Sequence, residues 1–249
     1  MPATDLDRFY SVPSVDMWRA VLGEELHYHN GFFLGPCSLE TGLRRTVENF
    51  YAHIPERCTI LDAGCGWGGP ARMLVKERDC HVSGVTISRA QAEYCLRTGL
   101  SVRLADLEDD PLSGDFDVAF LLESLSHIRG KQELLRRLRS RAKTLIVSVN
   151  CVADGFSGER LTFGGSMELC TPAELEASVT QAGWRIVLMR DRRKEALPTL
   201  FHWQRNIKKA FGDEQPPGQL GVLRDMTEHA LRNVDAWSRS YPLIDIVAE

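Results

Sequence analysis

The chain has 249 residues, of which 43% are hydrophobic and 26% charged, with a formal net charge of -4. That length suits one large α/β domain with a sizeable core, and the charge gives no global attraction to nucleic acid or to an anionic membrane. No apolar run approaches membrane-spanning length, and Met1-Pro2-Ala3-Thr4-Asp5 lacks the basic and apolar regions of a signal peptide, so a cytoplasmic protein is expected.

The stretch before Arg57 reads as helical and loop-like. Cys58-Thr59-Ile60-Leu61 is a short buried strand ending at a glycine turn. Pro70 to Glu77 follows as a helix, with Pro70 in its first turn, where a missing N–H costs nothing. His81 to Val85 is the second strand, and Ser88 is the N-cap of a helix from Arg89 to about Thr98. Val102-Arg103-Leu104 is the third strand, ending at Asp106. Phe116 to Leu122 is the fourth, nearly all apolar as a central parallel strand should be. Lys131 to Arg139 is a basic amphipathic helix and Thr144 to Val149 the fifth strand. Thr171-Pro172-Ala173-Glu174 opens a helix with a capping box, and Trp184 to Met189 is the sixth strand. Leu197 to Phe211 and Gln219 to Ser238 read as two helices around a turn-rich segment, and Tyr241 to Val247 as a returning seventh strand.

The alternation predicts a doubly wound, Rossmann-like α/β fold: seven mostly parallel strands with helices on both faces. A single domain is expected, with an N-terminal cap over 1–56, a cofactor-binding core over 57–190, a helical insertion over 191–240 and the last strand over 241–249. Cap and insertion would form a lid over the carboxyl edge of the sheet, where such sheets bind ligands. The seven cysteines are scattered and form no CxxC pair, which argues for reduced thiols rather than a disulfide framework or a zinc site.

In Asp62-Ala63-Gly64-Cys65-Gly66-Trp67-Gly68, the glycines let backbone approach a ligand closely, and the next helix aims its N–H groups into the same space. Gly64-x-Gly66-x-x-Gly69 also fits a dinucleotide pattern. Asp62, however, is awkward beside a pyrophosphate and useful beside the cationic amino group of a methionine moiety. The second strand also ends at Thr86, where a nicotinamide enzyme wants an acid for the ribose hydroxyls.

Leu61 to Gly69 resembles motif I of the class I S-adenosylmethionine methyltransferases. Gly84-Val85-Thr86-Ile87-Ser88-Arg89-Ala90-Gln91 resembles the G-[VI]-T-[LI]-S-x-x-Q signature of their cyclopropane-fatty-acid-synthase-like branch, which also holds glycine/sarcosine, tocopherol and geranyl-diphosphate methyltransferases. The resemblance implies S-adenosyl-L-methionine as cofactor. It implies Gly64, Cys65 and Gly66 at the methionine end, Thr86, Ile87 and Gln91 at the ribose and adenine side, Asp106 and Leu107 at the adenine, and Leu122 near the methyl donor. Tyr10 falls where the branch has a cofactor-covering tyrosine, and Tyr28-His29-Asn30-Gly31 resembles its Y-S-C-G turn.

Methyl transfer needs in-line positioning and removal of a proton from the acceptor. Leu122-Glu123-Ser124-Leu125-Ser126-His127 resembles the E-S-G-E-H run of tocopherol-type enzymes. His127 is the candidate base, or alternatively a helix-cap histidine. Glu123 is a second base, a stabiliser of a cationic intermediate, or only a cofactor or turn ligand. Ser126 replaces the acid that cyclopropane synthases need, which argues against lipid cyclopropanation. Tyr28, His29, Phe201 and Trp203 are candidates for the acceptor site. His27 and His29 lack a third clustered ligand, so no metal is expected. The run Arg136-Arg137-Leu138-Arg139-Ser140-Arg141 has no interleaved aromatic platform and reads as a solvated helix face rather than a nucleic-acid patch.

The expected function is methylation of a small molecule with hydrophobic parts, in specialised metabolism, at an oxygen, nitrogen or carbon left open. The alternatives are a methyltransferase fold kept for a non-methylating role, as a cyclase or scaffold, and a dinucleotide-dependent oxidoreductase.

Overall fold

Apolar strands with a two-residue alternation place the core on both faces of one sheet. A computed structural model describes residues 5–156 and 167–249. In chain order it has helices α1 (Asp5–Ser11), α2 (Val15–Leu22) and α3 (Leu39–Glu48), followed by β1 (Thr59–Ala63), α4 (Gly69–Arg78), β2 (His81–Thr86), α5 (Arg89–Arg97) and β3 (Ser101–Leu104). β4 (Phe116–Leu122), α6 (Lys131–Arg139), β5 (Ala142–Asn150), α7 (Pro172–Gln181) and β6 (Ile186–Asp191) complete the repeat. α8 (Arg193–Ala196), α9 (Pro198–Phe211), α10 (Gly218–Arg232) and α11 (Val234–Ser240) then lie between β6 and β7 (Leu243–Ala248).

The seven strands pair in the order β3-β2-β1-β4-β5-β7-β6. All pairs are parallel except those of β7, which runs antiparallel between β5 and β6. On β4, Val118 and Phe120 join a core with α4, α5 and the cap, while Ala119 and Leu121 join one with α6 and α7. Each such residue is fully buried, and burying a side chain the size of Val118, Phe120 or Leu121 contributes roughly 1.5–3 kcal/mol.

Thr171 and Glu174 form the expected capping box on α7. Several boundaries differ from the sequence reading by a residue or two, and three of the differences have a visible cause. The second insertion helix is broken at Asn233, whose non-helical backbone ends it and whose side chain caps the new helix by accepting from the Ala236 N–H. Tyr241 still belongs to the end of α11, through its N–H to the Trp237 carbonyl, so β7 starts only after Pro242. β6 begins at Ile186 because Trp184 is drawn into the core, its indole N–H donating to the Leu135 carbonyl.

The cap and the insertion pack on each other, α2 and α3 against α9 and α1 against α10 and α5. They cover the edge at which β1, β2, β4 and β5 end. A buried ion pair fastens this lid. Arg192 donates to Asp245 on β7 at 2.8 Å, to the Gly31 carbonyl at 3.0 Å and to the Ser148 hydroxyl at 3.0 Å. Both charges are essentially inaccessible, at 1% and 0% exposure. Arg192→Met is expected to cost about 3 kcal/mol of stability, at the low end for breaking a buried pair because Arg190 still holds Asp245. The urea midpoint measures this, and an unchanged midpoint would mean that the pair fastens nothing.

Candidate active site

The strand ends converge on one cavity of about 1000 Å³. That is the upper end of the ~300–1000 Å³ common for ligand cavities, room for a cofactor and a second molecule.

At the end of β1 the turn is built from backbone that only glycine adopts freely. Gly64, Gly66 and Gly68 have φ of 93°, 54° and 77°. The N–H groups of Gly64 and Cys65 both donate to the Val85 carbonyl, which ties the turn to β2. The two ligand-side glycines answer different needs. A Cβ on Gly64 would sit 2.3 Å from the Ser124 Cβ, whereas one on Gly66 would meet none of the described residues within 4 Å. Gly64 permits close packing, and Gly66 keeps open the space in front of α4.

Asp62 precedes this turn at 2% exposure, and its Oδ2 has no hydrogen-bond partner among the described residues. Burial without a compensating charge pushes its carboxyl up to about 7. An unpaired buried carboxylate facing open ligand space is the signature of a missing cation.

At the end of β2, Thr86 donates to the Gln91 side-chain oxygen at 2.8 Å, and the Ser88 N–H donates to the Thr86 hydroxyl at 3.2 Å. A neutral pair therefore stands where a dinucleotide site would have its acid. Asp106 follows β3 at the cavity rim, where its carboxylate accepts from the Glu108 N–H at 2.9 Å.

After β4, Glu123 adopts the left-handed conformation at φ 61°, a strain of about 1–3 kcal/mol that surrounding bonds must sustain. Its carboxylate accepts from the Asn30 N–H at 2.6 Å, the Asn30 side-chain amide at 2.8 Å and the Asn150 amide at 2.9 Å. Burial raises its pKa, while the Arg192 charge and these donors pull the other way. In the next turn, the ring nitrogens of His127 both lie 3.3 Å from the Tyr10 hydroxyl of α1.

From the cap, the Tyr28 hydroxyl accepts from the Gln219 amide at 2.7 Å and its ring lies 6.0 Å from that of Trp203. His29 hydrogen-bonds to His27 at 3.1 Å, and burial pushes it down to about 3, so its imidazole is neutral at physiological pH. No cluster of three metal-ligating side chains occurs among the described residues.

Tyr10, Asp62, Gly64, Cys65, Gly66, Thr86, Ile87, Gln91, Asp106, Leu107 and Leu122 all line this cavity, as do Glu123, His127, Tyr28, His29 and Trp203. Phe201 does not. It lies two residues before Trp203 on α9 and is 50% exposed on the outer face, which corrects its expected place in the acceptor site. Sequence reasoning missed Asn150, Gln219, Trp237 and Tyr241, which also line the cavity. For Trp237 and Tyr241 the only sequence signal was aromatic character, which read as packing.

The family profile described as "Methyltransferase domain" matches residues 60–144, the stretch carrying the glycine turn and the first four strands. The chain is 28% identical to the O-methyltransferase cnsE of Penicillium expansum over 217 residues, 79% of this chain and 78% of that one. It is 24% identical to a probable fatty acid methyltransferase of Pseudomonas putida, covering 75% of this chain and 54% of that one. These matches support a class I S-adenosylmethionine methyltransferase. The chain spans about half the length of the Pseudomonas relative and more than three quarters of the Penicillium one. Among solved structures, the [4+2]-cyclase SpnF shares this methyltransferase architecture with a TM-score of 0.84 at 16% identity, over 99% of this chain and 95% of that one.

The site residues fit the cofactor of this family. Asp62 matches a cationic amino group, Gly66 leaves the approach clear, and Thr86 and Gln91 offer neutral hydrogen-bonding groups.

Proposed function

We propose that the protein is an S-adenosylmethionine-dependent methyltransferase acting on a small molecule with hydrophobic parts in natural-product metabolism. The observation that carries this reading is the unpaired, buried Asp62 carboxylate beside the open space at Gly66. The bound cofactor supplies an electrophilic methyl group on a sulfonium. The chain's own residues do the rest. Asp62 holds the amino group of the methionine part, Thr86, Ile87 and Gln91 the ribose side, and Asp106 with Leu107 the adenine. Tyr10 closes the cofactor from above, with α1 packed on α5. Leu200, Trp203, Leu223 and Met226 present an apolar wall that holds the acceptor and excludes water.

His127 is the base for an acceptor proton, since Glu123 already accepts three N–H bonds and serves to anchor the Asn30 turn. His127→Ala is expected to lower turnover roughly 10²-fold with the S-adenosylhomocysteine Kd unchanged. Normal turnover would remove His127 from the mechanism.

Small-molecule acceptors are supported by relatives such as the 27-O-demethylrifamycin SV methyltransferase of Amycolatopsis mediterranei, 26% identical to this chain. A nucleic-acid acceptor is disfavoured, because the guanidinium groups of the basic helix are committed elsewhere. Arg136 pairs with Glu133, Arg137 donates to the Leu107 and Asp110 carbonyls, and Arg139 lies over the Trp184 ring. No described helix is long and apolar enough to cross a membrane, which is compatible with a cytoplasmic location.

The likeness to a cyclase supports a second reading, a methyltransferase fold kept for a non-methylating role as a cyclase or scaffold. Methyl transfer from labelled S-adenosylmethionine to a panel of hydroxyl, amine and alkene acceptors separates the two. The first reading expects label in product, the second expects binding with none.

A further inference from the structure

Beyond the glycine turn, Glu123 presents a carboxylate to the part of the cavity walled by the lid. Among the described residues its two oxygens accept from N–H donors alone, and those donors are neutral amides. Aromatic pairs come from two directions. Tyr28 lies two residues before Asn30 and packs 6.0 Å from Trp203. Trp237 and Tyr241, with ring centroids 4.4 Å apart, precede Leu243, the register partner of Asn150, which holds Glu123.

Among the described residues, the nearby arginines are already engaged. Arg193 lines the cavity, but its guanidinium is held by Asp191 and by the Ser238 and Arg239 carbonyls. Arg192 is consumed by Asp245, Gly31 and Ser148. Arg129 lies at the opposite, cofactor end, beside Glu108, and His29 is neutral. A buried carboxylate on a cavity that aromatic rings also line attracts a cation and repels an anion.

The sign of the charge decides the acceptor. When a neutral amine is methylated, its lone pair forms the N–C bond as the C–S bond breaks, and that bonding pair stays on sulfur. The positive charge therefore leaves the sulfonium and appears on the new ammonium; a proton still on that nitrogen is released afterwards. A phenolate or carboxylate acceptor would instead bring a negative charge against Glu123. We propose that the acceptor atom is an amine nitrogen, held in an ammonium-binding subsite formed by Glu123 with Tyr28, Trp203, Trp237 and Tyr241. This inference rests on the methyltransferase reading above.

The test uses the full chain saturated with S-adenosylhomocysteine, whose binding is measured first. Failure at that step would refute the methyltransferase reading itself. Calorimetry then compares benzyltrimethylammonium, its uncharged isostere neopentylbenzene, and phenylacetate. The expected result is at least tenfold tighter binding of the cation than of the isostere, with the anion weakest. S-adenosylhomocysteine binding with no cation preference, or with the anion bound best, would overturn the subsite. Glu123→Gln sets an amide against the Asn30 and Asn150 donors and can disturb the turn. Trp237→Leu, on a half-buried position, is therefore the second arm. It is expected to cut the cation-to-isostere ratio below threefold with cofactor affinity intact, and an unchanged ratio would contradict the aromatic part of the subsite.

Discussion

Asp62→Asn is expected to make the ligand-free protein more stable at pH 8 and to cost it most of its cofactor affinity. Asp62 has a folded pKa of about 7 against an unfolded value of about 3.9. Between these values the folded state keeps a proton that the unfolded state has lost, so the contribution of Asp62 to stability is full at low pH and falls as pH rises through 7. Above pH 7 the ionised, unpartnered group costs up to about 4 kcal/mol, from about three pKa units at 1.36 kcal/mol each. Asparagine removes the charge and keeps the shape, so a gain of about 2–4 kcal/mol is expected, roughly 5–10 °C in Tm, fading toward pH 4. The cofactor's amino group loses its counter-charge in the same variant, a loss of about a hundredfold in affinity for S-adenosylhomocysteine. Wild-type affinity should rise from pH 6 to pH 8 as Asp62 ionises, and Asp62→Asn should flatten that dependence. A variant less stable than wild type at pH 8 would contradict the assignment of Asp62 as an uncompensated charge.

The glycines of the turn should separate folding from binding. Gly64→Ala drives a methyl group to 2.3 Å from the Ser124 Cβ at a φ of 93°, so a loss of about 3–5 kcal/mol is expected from strain and overpacking together. Gly66→Ala meets open space and should cost only about 1 kcal/mol for its left-handed backbone. Its methyl group nevertheless occupies the ligand's approach, so affinity for S-adenosylhomocysteine should fall at least a hundredfold, and Gly66→Arg should abolish binding. Thermal melts with calorimetry on the variants check both halves. A stable Gly66→Ala that binds normally would remove the turn from the cofactor site.

How legible each part was depends on how local its cause is. Asp62, Gly64, Gly66, Thr86, Asp106 and Leu122 each lie at or beside the end of a strand that its own residues specify, so strand prediction placed them on one edge together. Glu123 was visible, but its partner Asn30 lies 93 residues away, and Asn150 reaches it only because β5 lies next to β4. No local pattern announces such a contact. The lid was legible as helices but not as faces. Phe201 and Trp203 are two positions apart on α9 and point about 200° apart on a helix, so only one can face the cavity. Trp237 and Tyr241 became cavity residues because Asn233 breaks the last helix and turns α11 over the site, a cap that reads in sequence as ordinary helix interior.

Equilibrium binding of S-adenosylhomocysteine and of NADH to the same ligand-free preparation is the most direct measurement. The structure predicts saturable binding of S-adenosylhomocysteine that strengthens through pH 7, with none of NADH. Tight NADH binding with no affinity for S-adenosylhomocysteine would contradict it.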